Sequence, residues 1–210
     1  MDLNFYISLF TFILSSYLVS ILAGYVLSRT NVLNIRWFMR KRKFLTDPLS
    51  KKAHKILYNR LILHIVSREW LEVCLLILLN NLLLGAFVLR TIYGLTIVLP
   101  YILTVWEGLG QGVVFSKTKP NLIFFFEFSG YLFATLAGMS LGLSLVLSIW
   151  EGIRIFIATL KNLLYIYSVV AVLLSLGALL ETIFMKKLGP PKVPEFDISK
   201  LMEDMLRSIE

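Results

Sequence analysis

Apolar residues fall along this chain in long blocks separated by short polar or basic joints, unlike the short periodic stripes of a soluble fold. A helix needs roughly 20 mainly apolar residues to cross a hydrocarbon core about 30 Å thick. Five blocks meet that requirement: Leu3 to about Leu27, Trp70 to about Leu89, Leu95 to about Phe115, Asn121 to Trp150, and Leu163 to about Met185. Pro100 is expected to kink the third. Tight turns are expected at Arg90-Thr91-Ile92-Tyr93-Gly94 and at Lys117-Thr118-Lys119-Pro120. The half-polar stretch Glu151 to Asn162 admits two readings, an interfacial segment or a continuation of the fifth span.

One polar segment has helical periodicity of its own. From Lys51 to Glu69, Ile56, Leu57, Leu61 and Ile65 share one side, while Lys52, Lys55, Asn59, Arg60, His64, Ser67 and Arg68 populate the other. A basic amphipathic helix of this kind lies along a membrane surface with its apolar face in the acyl boundary. Asp47-Pro48-Leu49-Ser50 reads as the turn that precedes it. The expected fold is therefore all-α, a polytopic membrane helix bundle of about five transmembrane helices plus one basic interfacial amphipathic helix. Residues 1–28 form the first span, 29–69 a basic loop, 70–185 spans two to five, and 186–210 a polar tail in which Asp197 to Ile209 could form a short helix.

Composition agrees with this division. The chain is 58% hydrophobic and 16% charged, against roughly 45–50% and about 25% in soluble domains. Its net charge of +8 invites a nucleic-acid reading, but the Lys and Arg cluster beside apolar blocks, as they do when they face anionic lipid headgroups. Residues 29–60 hold ten Lys/Arg and one acid, Asp47. Placing that loop in the cytoplasm puts eighteen of twenty-one basic residues inside, leaving Arg90, Arg154 and Lys161 outside. The expected protein is a multi-pass component of the cell membrane with its N-terminus outside and its basic loop and C-terminus cytoplasmic. The opening Met1-Asp2 lacks a basic n-region, so the first block reads as a span rather than a cleaved signal. Lys51, Lys52, Lys55, Arg60, His64 and Arg68 are the expected contacts to the membrane surface or to a partner.

Small residues indicate how the spans touch. Gly130, Ala134, Gly138 and Gly142 form a four-residue ladder on span four, and Ser16, Ser20, Gly24 and Ser28 form one on span one. Gly108 and Gly112 mark span three, and Ser168, Ala171, Ser175 and Ala178 make a stripe on span five. Such surfaces let backbones approach where lipid supplies no hydrophobic drive between helices. They point to a compact bundle, with a homo-oligomer seam through one ladder as a second reading.

Polar residues inside the spans carry the candidate chemistry: Asn80, Asn81, Glu107, Gln111, Glu127 and Glu181, with Glu72 nearer an interface. An acidic group at a span centre costs about 2.5–3.5 kcal/mol on insertion scales, so these groups must face one another or water. Glu127 shares the face of the Gly130/Ala134/Gly138 ladder and so points into the bundle. All four glutamates fall in the cytoplasmic half. They serve either as interhelical hydrogen-bond glue, with Arg68 or Lys117 as partners, or as the lining of a polar cavity that binds an ion, headgroup or partner.

No catalytic signature accompanies them, and no cofactor or metal set is expected. Cys74 is alone, His54 and His64 lack ligand spacing, and Gly108-Leu109-Gly110-Gln111-Gly112 reads as a packing surface because it lies within an apolar span.

At these polar positions the chain resembles the stage II sporulation protein M family. The resemblance rests on Leu79-Asn80-Asn81, the Gly108/Gly110/Gly112 run, Glu127 followed by Gly138 and Gly142, and Glu181 in Ala178-Leu179-Leu180-Glu181. It covers about Trp70 to Lys186. Leu122-Ile123-Phe124, with Pro120-Asn121 just before, stands where the family often carries Pro-His-Gly, so any role of that histidine is missing here. The resemblance implies a membrane protein that holds envelope-remodelling partners in place. The leading expectation is accordingly a non-enzymatic membrane component that anchors unidentified membrane or cytoplasmic proteins. The alternative is a permease-like subunit or small transporter using the intramembrane glutamates.

Overall fold

The computed structural model describes residues 3–30 and 60–188. Among them there is no strand, and five helical segments are long and apolar enough to cross a membrane. They are α1 (Leu3–Arg29), α2 (Trp70–Thr96), α3 (Val98–Phe115), α4 (Leu122–Glu151) and α5 (Arg154–Leu188). Large apolar side chains such as Leu18, Leu22, Leu71, Phe125, Leu164 and Val172 point outward. A face of that kind is at home in lipid. The chain is a membrane-embedded helix bundle.

Residue pairings fix the helix directions. Ser28 lies beside Ser116 and Ser16 beside Tyr101, so α1 and α3 run parallel. Asn81 meets Glu127 and Gly94 meets Gly138 and Gly142, so α2 and α4 run parallel. Where α1, α3 and α5 finish and α2 and α4 begin, the bundle carries Arg29, Lys117, Lys119, Lys186 and Lys187. We call this the basic end.

α4 is the central staff. From Ala134 to Gly142 all its residues are buried. A Cβ on Gly138 would sit 2.0 Å from the Arg90 carbonyl oxygen, and one on Gly94 would sit 2.3 Å from the Gly138 Cα. Only glycine admits that approach. The span-one ladder is used in the same way: Gly24 and Gly112 allow α1 and α3 backbones to touch, with Leu109 and Ile21 carbonyls opposite them. Gly130 and Ala134 complete the packing against α5 and α2 through Leu174, Val170 and Ala86. Both ladders are thus consumed within one chain. The span-five stripe packs only in part: Ser168 and Ser175 are exposed, whereas Ala178 is buried beside Val170, Leu174 and Gly177.

Three expectations need correcting, and one of two open readings is decided. The second span does not stop at Leu89; it continues as helix to Thr96 and breaks at Ile97, whose φ is 61°. Pro100 does not kink α3, because it occupies the first turn, where its missing N–H removes no helical bond. Residues Arg154 to Asn162 continue α5, whose 35 residues extend about 52 Å at 1.5 Å per residue. The end of the amphipathic segment, helical over 60–66, packs Leu61 and Ile65 on Val73, Ile77 and Ala178 of the bundle rather than leaving them to lipid. Lys51, Lys52, Lys55, the Asp47 turn and the tail helix lie outside the described residues.

Candidate functional site

The middle of α2 sets the site. From Asn80 to Ile92 its backbone is a π-helix of 13 residues, flanked by α-helix before and a 3₁₀ turn after. In an α-helix of 3.6 residues per turn, Asn81 and Arg90 would lie on opposite sides. The i→i+5 bonding of a π-helix widens the turn, so nine residues make about two full turns and both side chains face inward. The buried set Asn81, Ala86 and Thr91 follows that five-residue step.

Arg90 is only 2% exposed. It ion-pairs with Glu107 of α3, donates from one terminal nitrogen to the Gly85 carbonyl at 2.6 Å, and lays its guanidinium 3.9 Å over the Tyr131 ring of α4. Its buried Nε has no hydrogen-bond partner among the described residues. The outer-turn position expected for this arginine is therefore wrong: the turn comes later, and Arg90 is a cation inside the bundle. It also takes the role expected of Arg68 or Lys117, neither of which forms an ion pair among the described residues.

At the other end of the π segment, Asn80 Nδ2 donates to Asn81 Oδ1 at 3.3 Å, and Asn81 Nδ2 donates to Glu127 Oε1 at 2.7 Å. Glu181 of α5 lines the same cavity as Glu127. Gly177 makes room for the arrangement, since a Cβ there would meet Glu127 Cγ at 2.8 Å.

These groups surround a cavity of about 320 Å³. Its lining includes all six expected polar residues (Asn80, Asn81, Glu107, Gln111, Glu127 and Glu181) together with the aromatic Tyr17, Trp106, Phe124, Phe128 and Tyr131. The lining reaches Val114 and Phe124, close to the last residue of α3 and the first of α4, so the cavity extends toward the basic end. Despite its ion pair, the Glu107 side chain keeps 32% exposure, against 2% for Arg90. The carboxylate is presented to the cavity while the guanidinium is hidden behind it. Toward the opposite end the bundle is closed by the glycine contacts of α2 and α4, by the Thr104–Thr135 hydroxyl pair at 2.9 Å, and by buried Ser140 and Ser144.

The remaining expected contacts lie apart from the cavity. His64 Nδ1 is 2.5 Å from Glu69 Oε2, and Arg60 and Arg68 are exposed. Glu72 is exposed in the first turn of α2. Among the described residues no group of three or more His, Cys, Asp and Glu is arranged to hold a metal ion. Arg90, Tyr17, Tyr131, Trp106 and Gly177 escaped the sequence reading. The five-residue spacing of Asn81, Ala86 and Thr91 was the available sign of a π turn. No family model, no curated protein and no solved structure matches the chain.

Proposed function

We propose that the chain works through this cavity, as a permease-like subunit or small transporter that takes up a cationic solute from the cytoplasmic side of the cell membrane. The observation that carries the reading is the combination of charge and space. Interhelical glue needs no void, and desolvated carboxyl groups that serve only as glue pack directly against their partners. Here three glutamates, two asparagines and a glutamine surround some 320 Å³ of room. A cavity extending toward one end of the bundle, with tight backbone packing beyond it, is the arrangement of a carrier open on one side.

The orientation follows from charge. With Arg90 withdrawn from the outer loops, Arg154 and Lys161 are the only Lys/Arg of the described residues at the end opposite the basic one. The positive-inside rule then favours a cytoplasmic basic end. The positions on which the resemblance to the stage II sporulation protein M family rests include Asn80, Asn81, Glu127 and Glu181, all of which line the cavity. That supports reading them as a working site in such a family.

A second reading, a non-enzymatic anchor for partner proteins, is favoured by the seating of Leu61 and Ile65 on the bundle core. This seating couples the basic amphipathic segment to the cavity-bearing helices. The deciding experiment is flux into proteoliposomes of protons, sodium, potassium and small ammonium ions. The transport reading expects Glu127-dependent flux of at least one of them. Absence of flux for all, together with partner capture that depends on Arg60 and Arg68, overturns it in favour of the anchor.

A further inference from the structure

Resting on the reading of the cavity as a cation site, we propose that its ligand is a small primary ammonium compound of about ten non-hydrogen atoms. Three observations lead there. The first is charge. Glu107 is balanced by Arg90, whereas Glu127 and Glu181 line the cavity with no basic side chain among its lining residues, so the walls are acidic. A cation offsets that charge. The second is size. At ~30 Å³ per water-sized group, the cavity holds about ten such groups. That is far too wide for protein oxygens to enclose a bare metal ion, whose ligands lie at about 2.0–2.6 Å.

The third is the type of contact on offer. Tyr17 is 2% exposed and lines the cavity together with Gln111, bringing a phenol oxygen and an amide to its wall. Together with the carboxyl oxygens these groups make a wall dominated by acceptors, which suits the three donors of an –NH3⁺ group. A quaternary ammonium has no donor and would depend on ring faces. Several of those faces already have partners: Phe128 stacks on Tyr17 at 4.0 Å and on Phe124 at 5.4 Å, and the Tyr131 face carries Arg90. The ring wall is left to pack against the ligand's carbon portion.

The test is calorimetric titration of the full chain in nanodiscs with 2-phenylethylamine. The comparison probes are its N,N,N-trimethyl derivative, neutral 2-phenylethanol, and sodium or potassium chloride. The expected result is saturable binding of the primary amine, at least tenfold tighter than that of either organic analogue. Glu127→Gln should weaken it at least tenfold and Tyr17→Phe several-fold, with both variants retaining wild-type helicity and monodispersity. Equal affinity for 2-phenylethanol, or tighter binding of the trimethyl compound, overturns the proposal. Glu127-dependent binding of sodium or potassium that the amine does not displace overturns it while leaving the cation-site reading intact. Absence of Glu127-dependent binding for every cation overturns both.

Discussion

Arg90 of α2 and Glu107 of α3 form an ion pair inside the bundle, with the cation hidden and the carboxylate facing a cavity. Neither charge has another counter-ion among the described residues. Removing one partner of a buried pair leaves the other uncompensated and typically costs about 3–5 kcal/mol. Arg90→Met and Glu107→Leu should each lower the unfolding temperature in detergent strongly. The double variant should recover most of the loss, because two apolar side chains of similar volume need no partner. A double variant as unstable as the sum of the singles would mean that the pair is not coupled.

Gly138 and Gly130 stand on one ladder but meet different neighbours. A Cβ on Gly138 collides with the backbone of Arg90 and Thr91, whereas one on Gly130 meets Cδ2 and Cγ of the Leu174 side chain. Backbone cannot yield locally, and a flexible side chain can. Gly138→Ala should therefore destabilise by about 1–3 kcal/mol, the usual cost of overpacking, while Gly130→Ala should cost less. Thermal unfolding of the two variants side by side checks the contrast, and equal losses would contradict it.

The hydroxyl oxygens of Ser28 and Ser116 are 2.8 Å apart across the α1–α3 contact. That proximity is within reach of a disulfide after small adjustments. In a Cys74→Ala background, Ser28→Cys with Ser116→Cys should crosslink within one chain on mild oxidation, giving a monomer of altered gel mobility. A covalent dimer as the main product would instead place the span-one ladder between two copies.

The five spans were legible because each is a long apolar block, and a bilayer demands such blocks whatever they pack against. The polar set was legible for a related reason: any Asn or Glu in those blocks must be turned inward, and all six expected residues line one cavity. Arg90 was not. Its position just past Leu89 suits a loop if helices are read at 3.6 residues per turn, and that period also sends it to the side opposite Asn81. The π segment changes the period over 13 residues and reverses the conclusion. Tyr17 was missed for another reason: an aromatic in an apolar span is indistinguishable from packing until a void appears beside its hydroxyl.

Gly177 separates the site from the scaffold. Its missing side chain leaves room for Glu127, since an added Cβ would stand 2.8 Å from Glu127 Cγ and 3.5 Å from the Glu127 backbone nitrogen. Only the first of these distances forces a shift, and it involves a side-chain atom that can rotate. Alanine is also about 1 kcal/mol better than glycine within a helix. Gly177→Ala should thus leave the unfolding temperature unchanged or raise it slightly. The displaced Glu127 carboxyl would move relative to Asn81 and Glu181, so cation binding and flux should fall several-fold in the same preparation. Measuring both quantities on one sample gives the discrimination: a variant that is stable but impaired assigns the Glu127 geometry to a working site. A variant that keeps full binding would mean that the carboxyl's exact placement serves packing alone.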